Sequence, residues 1–425
     1  MAKQKGLRIL HAGDIYLGRP FSTLPAKSSE RRRQETKDTL KDLFHYVEEQ
    51  QVHLVLFSGN LFDFNYVSYE MLSYFMREME RMHFTQFVIA PGASDRLEKQ
   101  CFYSVCHLPK NVHVLPAKAD VISLPALGVT VFGWGLSDNQ KDNTWPMTKL
   151  PPLSEGETLV VCGCVGAGGH EGVRVAPDEI ANSGAVLVAL SDGEGFGGFT
   201  QLGNTVTAVS GWLESSSFSH AGFGGANLYT LFREGEMEAE QEPEQEMPEQ
   251  LPEAEQMTYF EVPEERKEEP AKTPEEAPNP RMEFDVPTGK LAAERLLFGG
   301  RQYITETIDI SGYTSVDEVE QALRDLVKEK GYGTETSLCI ILEGHTSPEF
   351  APPRLRDHTT HSLAELLSVD RTLPDKDEKE YIRDMSIRGE LMRAMMPSIL
   401  NGDEKTKENT VKALRIAFLA LDNEG

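Results

Sequence analysis

The period of the apolar positions changes along this chain, and the changes divide it. Leu7-Arg-Ile-Leu-His11 is a short apolar run that opens into a Gly/Pro-rich loop. Leu40, Leu43, Phe44 and Val47 then recur at i, i+3, i+4 and i+7, which places them on one face of a helix. Val52–Phe57 is a second buried-strand candidate. Leu72, Phe75, Met76 and Met79 repeat the helical spacing, and Gln86–Ala90 gives a third strand. Further strands are expected at Val112–Leu115, Val129–Phe132, Leu159–Cys162, Val186–Leu190 and Leu228–Phe232. Strand–helix alternation that gives way to strand-rich sequence predicts an α/β sandwich. In such folds chemistry collects on the loops leaving the strands' carboxyl ends.

From about Glu234 to Pro287 the apolar pattern stops, and Glu, Pro, Gln and Met dominate, as in EAEQEPEQEMPEQLPEAEQ. Too few large apolar groups remain there to offset the entropy of ordering, so a disordered linker is expected over 234–290. Met257-Thr-Tyr-Phe-Glu-Val262 interrupts it, as a kink in the linker, a short strand or a docking motif. Patterning then resumes. Tyr303–Ile310 and Ser337–Leu342 are strand candidates. Ser315 and Glu318 form a capping box ahead of Val316, Val319, Leu323 and Leu326. Two more helices are expected near Lys379–Met396 and Glu404–Leu421. The reading is a first domain over 1–233, the linker, a small α/β domain over 291–370 and a helical tail over 371–425.

Charge follows this division. Of the formal −26, the segment from Glu234 to Asp285 carries 19 acidic and 4 basic residues, a net of −15, and the remainder carries −11. An acidic protein repels nucleic acid at long range, so any DNA contact needs a local basic patch. The densest one is Arg31, Arg32 and Arg33, with Lys27 nearby. A solvated helix start is the alternative, since charge runs usually just face water. Cys101, Cys106, Cys162, Cys164 and Cys339 form no C-x-x-C pair, which points away from a disulfide framework or a standard zinc site. The opening Met-Ala-Lys-Gln-Lys leads into a strand rather than an apolar signal core, and no run is long enough to span a membrane. A cytoplasmic protein is expected.

The loops after the strands carry a specific resemblance. His11-Ala-Gly-Asp14-Ile-Tyr16-Leu-Gly18 resembles the start of the SbcD and YhaO metallophosphoesterases, whose first motif is D-x-H followed by Leu-Gly. Gly59-Asn60-Leu-Phe-Asp63 resembles their G-D-x-x-D, and Gly92-Ala93-Ser94-Asp95 stands where they have G-N-H-D or G-N-H-E. Cys162-Gly163 stands where they have His-Gly, and Ser191-Asp192-Gly193-Glu194 where they have G-H-x-H. Ser210-Gly-Trp-Leu-Glu-Ser-Ser-Ser-Phe resembles the segment after the last motif. The likeness covers roughly residues 7–233 and continues more weakly through 297–425, where Arg371-Thr-Leu-Pro-Asp375 resembles a recurring C-terminal element.

The resemblance implies a metallophosphoesterase-like four-layer α/β sandwich of nuclease type, then a small α/β capping-type domain and a helical tail. It also implies an SbcC-like ATPase as partner through the tail, DNA near Arg31–Arg33, and pairing as a homodimer. Catalysis is another matter. Two metal ions need a bridging carboxylate, imidazoles and amide oxygens to hold them. Here Asp14 survives, Tyr16 replaces a His, and Asn60 replaces the bridging Asp. Ala93 and Ser94 replace an Asn ligand and the catalytic His. Cys162 replaces another His, and Asp192 and Glu194 replace the last pair. The implied protein is a non-catalytic or impaired subunit with no cofactor. The alternative is a divergent exonuclease or phosphodiesterase in which Asp14, Asn60, Cys162, Asp192 and Glu194 hold Mn²⁺ or another divalent ion. The glycine-rich stretches 163–172 and 193–198 match no phosphate-binding fingerprint and are expected as loops around the former metal site.

Overall fold

The computed structural model describes residues 6–22, 24, 26–98, 101–137, 150, 153, 156–165, 176–193, 197–216, 218, 224–233, 281–347, 350, 352–355, 363–374 and 383–422. Most of the acidic segment, with Met257–Val262, lies outside them, as do most of the first glycine-rich stretch and Glu194. The described chain forms two compact units. The first takes in residues up to 300 except Phe218, and the second takes in Phe218 and the residues from 301 onward.

The first unit is built on two sheets. Its elements run β1 (Leu7–Ala12), α1 (Ala26–Glu49), β2 (Leu54–Phe57), α2 (Tyr69–Arg81), β3 (Gln86–Ile89), α3 (Phe102–Val105) and β4 (Val112–Val114), then β5 (Asp120–Leu124), β6 (Val129–Trp134) and β7 (Thr158–Cys164). After these come α4 (Pro177–Ala181), β8 (Leu187–Ser191), β9 (Gly198–Leu202), β10 (Thr205–Val209), β11 (Gly225–Arg233), β12 (Met282–Val286) and β13 (Gly289–Leu297). One sheet has the order β12-β13-β11-β1-β2-β3-β4, the other β5-β6-β7-β8-β10-β9. The central strands β1 to β4 and β6, β7, β8, β10 are parallel. Largely buried on both faces, most of them are rich in Val, Leu and Ile, as the strands of a covered parallel sheet are.

Three apolar layers hold this unit together. Ile9, Leu54, Leu56 and Val88 of the first sheet meet Val131, Val160, Leu187 and Ala189 of the second. Leu40, Phe44 and Val47 of α1 and Leu72, Phe75 and Met79 of α2 cover the outer face of the first sheet against Val55, Phe57 and Phe87. Ile180 of α4 covers the outer face of the second, beside Phe132, Trp134, Val161 and Val188. Helix, sheet, sheet, helix is the expected four-layer sandwich. The hydroxyl of Ser68 accepts the Met71 amide and starts α2.

One boundary differs from the sequence reading. Residues 282–290, assigned there to the linker, and 291–297, assigned to the small α/β domain, are β12 and β13. They extend the first sheet beyond β11 in a register from Gly225↔Leu297 to Arg233↔Gly289. Phe284 and Val286 enter the core between the sheets. The two acidic side chains Glu283 and Asp285 face solvent, so composition alone masked a strand whose apolar residues alternate.

The second unit contains a parallel sheet of β14 (Gln302–Asp309), β15 (Thr336–Glu343) and β17 (Glu365–Asp370), covered by α5 (Val316–Lys330). The Ser315–Glu318 capping box is present, and Gly331 ends the helix in the left-handed region. A short pair, β16 (His345–Thr346) and β18 (Leu373–Pro374), leads toward α6 (Ile387–Asn401) and α7 (Glu404–Asp422). Of the helix expected at Lys379–Met396, residues 379–382 lie outside the described residues; a helix begins at Ile387, where Ser386 caps it by accepting the Gly389 amide. Met392, Ile399, Val411, Leu414 and Phe418 form the core of this helix pair. Arg415 ties α7 to the sheet region, with ion pairing to Asp370 and donation to Thr346 and Thr372 hydroxyls. Among the described residues no helix is long and apolar enough to cross a membrane.

Candidate functional site

The first two parallel strands deliver Asp14 and Asn60 to one point. Both residues adopt left-handed backbone, φ 51° and 54°, and Tyr16 does so at 49°. Asp and Asn tolerate that region better than Tyr, so Tyr16 marks local strain. The Asp14 amide donates to the Gly59 carbonyl and the Tyr16 amide to the Asn60 carbonyl, which locks the two loops side by side. Asn60 Nδ2 then donates to Asp14 Oδ1 at 2.7 Å. On its other side Asn60 Oδ1 accepts from the amide and hydroxyl of Ser94, at 3.0 and 3.2 Å. Below this chain, buried Asp95 accepts from the amides of Asn60, Leu61 and Gly92 and from the Tyr103 hydroxyl. Asp95 is thus the knot that shapes the β2 and β3 loops, a role the motif spacing did not reveal.

Burial dominates the electrostatics. It pushes the Asp14 carboxyl up to about 8, with Asp192 and Asp95 adding to the rise and the Asn60 amide and the Gly193 backbone opposing it. Asp14 Oδ2 is buried with no hydrogen-bond partner. Burial also raises Asp95 against the pull of its four donors. His11, behind the site, is lowered to about 3 by burial and then by Arg295. It is therefore a neutral ring near neutral pH, sharing a 2.9 Å hydrogen bond with the Ser58 hydroxyl.

The remaining positions are filled by packing. Tyr16 packs on Trp212 with ring centroids 4.9 Å apart and the rings tilted by 32°, and the Arg19 guanidinium lies 5.0 Å from both rings. Such a cation–aromatic stack fills volume around Tyr16 and adds attraction of its own. From the second sheet, Ser191 donates to the Ser58 carbonyl at 3.0 Å and lies 3.5 Å from Cys164 Sγ. Cys164, overlooked in the sequence reading, thereby stands beside the site. Cys162 does not. It is buried between the sheets with its thiol directed at the Phe57 carbonyl, and burial raises its pKa. Of the expected cluster, Asp14 and Asn60 touch, and Asp192 acts on Asp14 through its charge. Cys162 points into the core, and Glu194 lies outside the described residues.

Residues 7–173 match the family model for calcineurin-like phosphoesterases. Over those residues the chain is similar to calcineurin-like phosphoesterases. A solved structure, the crystal structure of TT1561 of Thermus thermophilus, is 11% identical, with 52% of this chain and 94% of that chain covered at a TM-score of 0.34. No curated protein matches the chain.

Phosphoesterase domains of this family usually use divalent metal ions, so the donors present must be tested against that need. Among the described residues they do not fit a two-metal centre. Asp14 Oδ1 already accepts a hydrogen bond from the Asn60 amide, and the Asn60 oxygen accepts from Ser94. Among the described residues no three His, Cys, Asp or Glu side chains are grouped so as to hold an ion. No catalytic step through a metal follows from this geometry.

The basic cluster also divides. Arg32 is 2% exposed; it pairs with Glu35 and buried Glu214, at 2.5 and 3.2 Å, donates to the Ser215 carbonyl and packs on Phe21. It is out of reach of a DNA phosphate. Arg31 and Arg33 are exposed, in ion pairs with Glu35 and Glu30. Glu214, which also accepts from the Thr39 hydroxyl, was visible only as part of the Ser210–Phe218 resemblance.

Proposed function

We propose that this chain is a catalytically silent, SbcD-like subunit that holds an SbcC-like ATPase through its helical tail during DNA end processing. The observation that carries the reading is the Asp14–Asn60–Ser94 chain, which engages the oxygens that metal-dependent phosphoryl transfer would require. The proton donor of the third motif is replaced by Ser94, whose hydroxyl is turned to Asn60. The tail supports the partner assignment, because Met385 just ahead of α6, Ile387 and Leu400 on α6 and Ile416 on α7 expose apolar surface. Exposed Arg31 and Arg33 are the cations left for DNA phosphates.

The test is association and cleavage measured together. The full chain is expected to capture an SbcC-like ATPase in a pull-down, and a variant carrying Ile387→Glu and Ile416→Glu to lose it. DNA is expected to stay uncut with Mg²⁺ or Mn²⁺. Absence of association overturns the partner assignment. Cleavage that disappears in Asp14→Ala overturns the silence and establishes a divergent exonuclease.

A further inference from the structure

We propose that Asn60 is an internal substitute for a divalent cation. Its amide joins the loops that an ion would otherwise bridge, so the fold of this domain is independent of metal, and exchanging that amide for a carboxylate would create metal dependence. The inference rests on the silent-domain reading and extends it from catalysis to folding.

An amide has one donating and one accepting end, and Asn60 uses both: Nδ2 toward Asp14 on the β1 loop, Oδ1 toward Ser94 on the β3 loop. A carboxylate has only accepting ends. At position 60 it would keep the Ser94 bonds but set an oxygen against Asp14 Oδ1 at the same 2.7 Å. Only a shared proton or a cation stabilises two carboxylates so placed.

The loops meet in close contact. A Cβ at Gly92 would lie 2.5 Å from the Asn60 amide nitrogen, and one at Gly13 would lie 2.5 Å from Ser210 Oγ and 2.8 Å from Ser58 Oγ. Asp14 is also fixed through its backbone amide. Its Oδ2, buried and without a hydrogen-bond partner, offers an entering cation a second oxygen from the same residue.

The experiment is thermal unfolding of the full chain followed by tryptophan fluorescence. The three tryptophans, Trp134, Trp145 and Trp212, all precede residue 217 in the chain, so the signal reports on this domain. Wild type, Asn60→Asp and Asn60→Ala are each compared in EDTA and in Mn²⁺ at about pH 8. The wild-type midpoint is expected to be the same in both. Asn60→Asp should melt roughly 5 °C or more lower in EDTA and recover in Mn²⁺. Asn60→Ala should be lowered in both, since it supplies no carboxylate. If Asn60→Asp folds only when Mn²⁺ is supplied, the proposal stands. A wild-type midpoint raised by Mn²⁺ overturns it, as does an Asn60→Asp protein indifferent to Mn²⁺ or unfolded in both conditions. Failure of the ATPase-partner reading would appear in the pull-down, which none of these outcomes alters.

Discussion

The Asn60 side-chain amide donates a 2.7 Å hydrogen bond to the buried carboxyl of Asp14. A single contact thus joins the loops of two neighbouring parallel strands, and Ser94 extends it to a third. Asn60→Ala removes the donor and the acceptor together and strands Asp14 Oδ1 and the Ser94 amide. A buried polar group left unsatisfied costs about 1–3 kcal/mol, so the expected loss is roughly 2–4 kcal/mol. Urea unfolding at neutral pH, read by tryptophan fluorescence, measures it.

Asp14 and His11 give the domain opposite pH limits. Asp14 titrates at about 8 when folded against 3.8 in its ordinary state. The folded form therefore holds the proton more tightly. Its contribution is full below pH 4 and is lost as pH rises toward 8. Asp14→Asn, which cannot ionise, should flatten that limb and gain on wild type by up to about 4 kcal/mol between pH 5 and 8. Stability curves of the two proteins against pH decide it.

His11 works the other way, with a folded value of about 3 against the ordinary 6.5. The unfolded chain binds that proton first. Stability is full above pH 6.5 and declines as pH falls toward 3. His11→Gln should show a shallower acid limb than wild type in acid titration followed by circular dichroism. An equal slope in both would remove His11 as the cause.

Arg32 and Glu214 form a pair in which each side chain is almost wholly buried. Arg32→Ala strands buried Glu214 and should cost about 3–5 kcal/mol, whereas Glu214→Ala leaves Arg32 paired with Glu35 and should cost less. Arg31→Ala and Arg33→Ala, on exposed pairs, should cost under about 1 kcal/mol. Fluorescence anisotropy with duplex DNA is expected to weaken only for the exposed pair of residues, and denaturation to respond chiefly to the buried ones.

In the second unit, Arg415→Ala should loosen α7, since that guanidinium serves Asp370, Thr346 and Thr372 at once. Faster amide hydrogen exchange along 404–422, with exchange in β1–β3 unchanged, is the expected signature.

Much of this architecture was legible because buried parallel strands and amphipathic helices write their period directly into the chain. Leu40, Leu43, Phe44 and Val47 fall on the buried face, and the Ser315–Glu318 box starts α5 as expected. Asp14 and Asn60 were legible as a motif. The hydrogen bond between them was not, because the direction of a side chain depends on the left-handed backbone beneath it. Cys162 and Cys164 differ by two residues on one strand and both are core, yet Cys162 packs between the sheets while Cys164 joins the outer cluster within reach of Ser191. Arg32 sits in a run of three arginines, yet the turn of α1 carries it inward while its neighbours stay out. Glu214, which receives it, is far away in sequence.

The pairing of β13 with both β11 and β12 changes what residues 234–280 connect. The chain leaves the sheet after β11 and re-enters it at β12, two strand positions over, about 10 Å away. This acidic stretch is therefore an insertion in one domain, with both its anchors in the same sheet, and the joint between the two units falls near 300 and 301 instead. A protease cutting once inside it would yield two fragments on a denaturing gel but a single particle in gel filtration, still clasped by the ladder from Gly225 to Leu297.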